Sequence, residues 1–333
     1  MNRLLGIQYL RAVAALAVVC FHAAAKEKAN FLIGEAGVDV FFVISGFLMV
    51  AITNDTTKPW EFFKNRIKRI LPIYWIATTV MLLGIIFGLF PNARIDLWHV
   101  MASYLFLPAI SPATGEIWPL LVPGWTLNYE MSFYALFAVA LFISNEKKRV
   151  FLIIILLFAM AIFGIIFSPE GVSGRFYCNQ IVLEFAAGSF LGLLWKQHRA
   201  LFRHGRSLIG LSVFGFAMAW LVDSDANRAL VFGVPSLLLV AGVLAVEHAR
   251  PIERQSLALL LGNASYSIYI WHTLAISVTS KLAALVGLSF AAAVAFNIVG
   301  GVLIGLAAYA VLEEPLRKLL NPKQHQLAPS ASA

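Results

Sequence analysis

Apolar and polar positions alternate along this chain on the scale of whole helices. Apolar runs recur over residues 4–25, 36–53, 71–90, 123–143, 150–167, 178–196, 207–222, 229–247, 257–279 and 290–312. About 17–25 such residues suffice to cross a hydrocarbon core. The pattern predicts an all-α, polytopic membrane helix bundle with about ten transmembrane helices, and no internal repeat is visible. Residues 1–318 read as one transmembrane domain. The polar remainder, 319–333, reads as a disordered cytoplasmic tail.

One stretch resists the pattern. Residues 91–122 are long for a structureless connection, and "RIDLWHVMASYLFLP" (94–108) is apolar over too few residues to span. It is expected to lie in the outer interface or to re-enter partway. The basic residues test the count. With an inside N-terminus, eighteen of the 25 lysines and arginines fall on inner segments, six on outer ones, and Arg11 lies within a span. The positive-inside rule then places both termini in the cytoplasm. Reading 91–122 as a span would reverse every later loop. The start of the chain imitates a secretory leader, but Arg11 interrupts its apolar core and the segment is expected to be retained.

Composition agrees with the pattern. Hydrophobic residues make up 60% of the 333 and charged residues 13%, against about 45–50% and about 25% in soluble domains. The net charge of +8 follows from topogenic lysines and arginines, so no nucleic-acid partner is implied. Cys20 and Cys178 sit in or beside apolar runs without redox or metal spacing and read as packed thiols. Nucleotide-binding loops, zinc spacings and the serine-hydrolase elbow are absent from the sequence, and no metal site is expected.

The candidate chemistry lies in polar residues that the apolar runs carry. Arg11 and His22 are eleven positions apart, nearly three helical turns, so they share one face about 16 Å apart along the axis. They are either two unrelated events, an Arg pairing with a carboxylate and a His reaching the interface, or two ends of one polar passage. Other runs carry Asp39 and Ser45 in "GVDVFFVISGF", Glu130 in "PGWTLNYE", Glu184 in "VLEFAAG", and Ser265, Tyr269 and His272 on one face of "NASYSIYIWH". Counted along the helices, His22, Asp39, Glu130 and His272 reach similar depth. Since intramembrane ionisable groups face cavities and pair with one another, a shared outer cavity is expected.

At the inner surface, "KPWEFFKNRIKRILPIYW" sets Trp60, Phe63, Ile67 and Ile70 on a stripe flanked by Lys64, Arg66, Lys68 and Arg69. Pro59 suits a helix start and Pro72 a break before the next span. The segment is either a lipid-held interfacial anchor or, through Arg66 and Arg69, a phosphate clamp. Glu313, Glu314 and Arg317 in "EEPLRK" are accounted for by local pairing.

These pieces together resemble the acyltransferase 3 family of integral membrane acyltransferases, in particular the branch that O-acetylates bacterial exopolysaccharides. The carrying motifs are Arg–(ten residues)–His at Arg11 and His22, the segment Asp39 to Phe47, R-x-x-R-x-x-P at Arg66, Arg69 and Pro72, W-[ST]-L-x-x-E at Trp125 and Glu130, and "SYSIYIWH" ending at His272. Some members add a periplasmic hydrolase-like domain. The likeness here covers residues 1 to about 318, so chemistry is expected from the membrane helices.

The resemblance implies a multi-pass protein of the bacterial inner membrane with no permanently bound cofactor. It implies acetyl-CoA from the cytoplasm as co-substrate and a polysaccharide or lipid-linked glycan as acceptor. Arg11, Arg66 and Arg69, with Ser45, are then donor-binding, and His22 is a general base whose ordinary pKa of about 6.5 suits the task. Glu130 or Asp39 would orient the imidazole. Trp118 and Trp125 stack on sugar or sit in an interfacial belt, with Tyr269, His272 and Glu184 in support. A transporter or flippase, and acylation of a lipid, peptidoglycan or small molecule, are the alternatives.

Overall fold

The computed structural model describes residues 4–219 and 227–320. Within them each apolar run folds as helix. These are α1 (Leu5–Lys26), α2 (Gly37–Ile52), α3 (Pro59–Ile86), α4 (Leu97–Tyr104), α5 (Gly124–Ala140), α6 (Glu146–Phe167), α7 (Val172–Tyr177), α8 (Val182–Gln197), α9 (Gly205–Met218), α10 (Val234–Ala249), α11 (Ser256–Leu285), α12 (Phe290–Ala308) and α13 (Glu314–Leu320). No strand occurs among the described residues. Among the described residues seven helical stretches are long and apolar enough to cross a membrane, three of them, Leu32–Ile52, Ala229–Ala249 and Phe290–Leu320, by joining α2, α10 and α12 to adjacent helical turns. The remaining long ones, α5, α8 and α9, have 17, 16 and 14 residues. The expected end of the run at 220–222, and the tail from 321 onward, lie outside the described residues.

Cys20 and Cys178 are unpaired, as their surroundings suggest.

α2 is the most enclosed of the spanning helices, and its place is set by glycine. A Cβ on Gly46 would lie 2.3 Å from the carbonyl of Phe185, and one on Gly188 would lie 2.1 Å from that of Val43. α2 and α8 therefore touch backbone to backbone, the close approach small residues permit between membrane helices. Phe42, Phe133 and Phe185 fill the space alongside, with ring centroids 4.5 and 4.6 Å apart. This contact fixes the inward face of α2, which carries Ser45.

One sequence expectation for residues 58–72 is corrected. Pro72 does not break the chain: it lies inside α3, which runs unbroken from Pro59 to Ile86. Proline removes one helix hydrogen bond, and the rest of the ladder carries the helix past it. The stripe is not packed as a whole. Trp60 is 68% exposed, while Phe62, Ile70, Ile73 and Tyr74 are the buried side chains. Phe62 stacks on Phe137 of α5, and with that face buried Arg66 and Arg69 line a cavity.

The long connection after α3 is tied down rather than structureless. Asp96 caps α4 by accepting from His99 N at 2.7 Å. Tyr74 donates to Ser103 O and Trp75 Nε1 to Tyr104 O, at 3.0 and 2.9 Å. His99 Nε2 meets Trp118 O at 2.8 Å, which fixes the indole-bearing loop ahead of α5.

Candidate active site

Two cavities meet inside the bundle. A basic chamber is walled by Arg11, Arg66, Lys68, Arg69, Glu313 and Arg317, among others. A central chamber of about 60 Å³ includes Arg11, Ser45, Arg69, Glu130, Tyr134 and Tyr269 in its lining. Arg11 and Arg69 belong to both walls, so the chambers adjoin there.

The arginines are available to a ligand. Among the described residues none of Arg11, Arg66 and Arg69 has a carboxylate oxygen within 4.0 Å. Arg11 Nη1 reaches only Gln8 Oε1, at 3.5 Å. Arg66 Nε is buried without a hydrogen-bond partner, an arrangement costly enough to call for an explanation. Of the two readings of Arg11, pairing with a carboxylate has no counterpart in this geometry.

In the central chamber Glu130 is held by two hydroxyls. Ser45 Oγ donates to its Oε1 at 2.8 Å, and the Tyr134 hydroxyl donates to the same oxygen. Tyr269 donates no bond to this group; its hydroxyl instead accepts from Thr126 Oγ1 at 3.0 Å. The meeting of Glu130 with Ser45 follows from register. Glu130 is six residues into α5 and Ser45 eight into α2, about 9 and 12 Å from their starts.

His22 and His272 form a separate pair. Their rings stack with centroids 4.9 Å apart and planes at 14°. His272 Nδ1 lies 2.6 Å from Tyr269 O, and its Nε2 is buried without a partner. Neither imidazole is among the residues lining the two chambers, but Tyr269 lines the central one and packs on His272 at 5.7 Å.

Asp39 forms a third group. Arg228 Nε donates to its Oδ1 at 3.1 Å and Nη2 to its Oδ2 at 2.7 Å, while Nη1 pairs with Glu35. Glu184 is buried with neither carboxylate oxygen hydrogen-bonded. The expected single outer cavity is therefore corrected. Glu130 joins the arginines, Asp39 joins Arg228, and the histidines join each other. Among the described residues neither Asp39 nor Glu130 is hydrogen-bonded to His22: Asp39 is held by Arg228, and Glu130 by Ser45 and Tyr134.

Trp118 and Trp125 meet in a vestibule with Glu116, Tyr129, Gln180 and Arg228. It lies where α2, α5 and α8 begin, at the opposite end from the basic chamber.

Tyr134 and Arg228 were not singled out by the sequence reading, and Glu313 was read only as a local surface partner. Tyr134 had a signal, its i, i+4 spacing from Glu130. Glu313 did not: a π-turn over Tyr309–Glu313 rotates it from a surface position to accept from Ser267 Oγ at 2.6 Å. The local pairing expected of "EEPLRK" is made instead by Glu314 with Lys318, at 3.0 Å.

A family model described as an acyltransferase domain matches residues 4–311. The exopolysaccharide production protein ExoZ of Rhizobium meliloti (strain 1021) is 45% identical over 298 residues, covering 89% of this chain and 93% of that protein. The O-acetyltransferase OatA of Staphylococcus aureus (strain NCTC 8325 / PS 47) is 24% identical over 311 residues, covering 80% of this chain and 49% of that protein. No solved structure matches.

Proposed function

The chain belongs to the acyltransferase-domain family and is an acyltransferase, and from that premise we propose that it O-acetylates a cell-surface polysaccharide from acetyl-CoA across the bacterial inner membrane. In this reading about ten helices span the bilayer, both termini are cytoplasmic, and the basic chamber opens to the cytoplasm, following the bias of lysine and arginine. The observation that carries the proposal is the shared wall. Arg11 and Arg69 border both a basic chamber and one holding a carboxylate and hydroxyls. An extended ligand with anionic groups at one end and a neutral arm at the other fits that sequence of walls.

The phosphates of coenzyme A sit against Arg66, Arg69 and Arg11, where guanidinium forks suit phosphate oxygens. The pantetheine arm passes Arg11 into the central chamber and brings the thioester past Ser45 and Glu130. Glu130, fixed by Ser45 and Tyr134, positions the arm. His22 acts as general base, with His272 stacked on it and Tyr269 at the chamber boundary. It takes the proton of a glycan hydroxyl as that oxygen attacks the thioester carbonyl. The carbon–sulfur bond breaks, and the imidazolium returns the proton to the departing thiolate.

Similarity to ExoZ over most of both chains supports a polysaccharide acceptor. The test is proton NMR of surface polysaccharide from cells with and without this protein. An O-acetyl methyl signal that depends on the protein is expected. An identical signal in both samples refutes the assignment.

A further inference from the structure

The vestibule at the far end of the bundle has walls suited to a ligand other than acetyl-CoA. It is separated from the central chamber by one aromatic layer. Trp125 and Tyr129 line the vestibule, and both rings pack edge-on against Phe42 of the chamber wall, with centroids 6.4 and 6.0 Å apart. Thr126, next in sequence to Trp125, faces the chamber side.

Two indoles, a carboxylate and the two amides of Asn179 and Gln180 are the chemistry that holds a sugar ring, with C–H faces on aromatic surface and hydroxyls on polar groups. Trp118 is 38% exposed, and its loop is anchored through its carbonyl to His99. A lipid chain would find no continuous apolar wall here.

The charge of the site selects further. Arg228 looks like a receptor for anions, but Asp39 occupies its Nε and Nη2 and Glu35 its Nη1. The wall itself holds one carboxylate, Glu116, and one guanidinium, Arg228; Arg228 is neutralised by Asp39 and Glu35 behind it, and among the described residues Glu116 has no ion-pair partner, which leaves a net negative wall. An acidic sugar would meet like charge, which acts against binding.

We propose that this vestibule is the acceptor site and that it seats an uncharged pyranose ring, discriminating against uronate residues. The inference rests on the reading of the protein as a polysaccharide O-acetyltransferase and adds where the glycan binds and of what class it is.

The test uses the full-length protein in lipid nanodiscs with acetyl-CoA. The acceptors are de-esterified oligosaccharides from the host's surface polysaccharide, in an anion-exchange-retained, uronate-containing fraction before and after carbodiimide–borohydride reduction of the carboxyl groups. Reduction should lower the acceptor KM, and Glu116→Gln should narrow the difference. Trp118→Ala should raise the acceptor KM about tenfold while leaving the KM for acetyl-CoA unchanged, as loss of one good aromatic contact implies. Transfer that proceeds with an unchanged acceptor KM in Trp118→Ala, or that weakens on carboxyl reduction, overturns the proposal while leaving the acetyltransferase reading intact. If acetyl passes to no glycan fraction at all, the functional reading fails and the acceptor site with it.

Discussion

Replacing Tyr134 by Phe isolates one interaction of the central chamber. The phenol is buried, and its hydroxyl donates to Glu130 Oε1, the oxygen that Ser45 also bonds. The ring packs edge-on to Phe62, 6.5 Å between centroids, and phenylalanine keeps that packing. The change therefore removes a single hydrogen bond to a carboxylate, of the kind that contributes about 1.5–3 kcal/mol. If Glu130 positions the thioester arm in the transition state, that energy appears as a roughly 10- to 100-fold fall in kcat with little change in the KM for acetyl-CoA.

Ser45→Ala should produce a fall of similar size. The double variant should depart from additivity, because both hydroxyls hold one oxygen atom. The assay is initial-rate CoA release in nanodiscs with de-esterified oligosaccharide acceptor, with thermal melting measured on the same samples. A Tyr134→Phe protein that melts a few degrees lower yet keeps its kcat would show that the bond serves the fold alone, and the positioning role of Glu130 would be lost.

Three further outcomes test the remaining geometry. His22→Ala should abolish transfer while the protein still assembles in the membrane and binds acetyl-CoA; near-normal acetylation would remove it as the base. Arg66→Ala with Arg69→Ala should weaken acetyl-CoA binding at least about tenfold and flatten its salt dependence, and unchanged affinity by titration calorimetry would reduce both to membrane anchors. Arg228→Met leaves the fully buried Asp39 without its partner, a loss of about 3–5 kcal/mol. The melting temperature should drop sharply and recover in part with Asp39→Asn, whereas a melting curve like that of the parent protein would contradict the ion cluster.

How far the sequence carried can be read from particular residues. Apolar runs locate helices because burial and hydrocarbon length act on whole segments, and α1, α2 and α11 fall within a few residues of expectation. The start of α3 does not, because Lys58–Arg69 is polar enough to resemble a separate surface helix and Pro72 resembles its end. The motif residues Arg11, Arg69, Ser45 and Glu130 do converge on one chamber. Their grouping by depth did not carry over. Asp39 lies in the first turn of α2 and Glu130 more than a turn into α5, and a difference of that size decides the partner each can reach. Arg228 was invisible for another reason. In a short polar connection it reads as one more topogenic charge, and its partners Glu35 and Asp39 lie far off in sequence.

α3 bears Arg66 and Arg69 in its first half and, five and six residues past Arg69, holds the last residues of α4 through Tyr74 and Trp75. Between those stations Pro72 leaves one rung out of its ladder. The missing rung, from position 72 to the carbonyl of Lys68, falls beside the turn that carries Arg69. The basic wall and the anchor of the loop that carries Trp118 thus share one helix, on either side of a single unmade backbone bond.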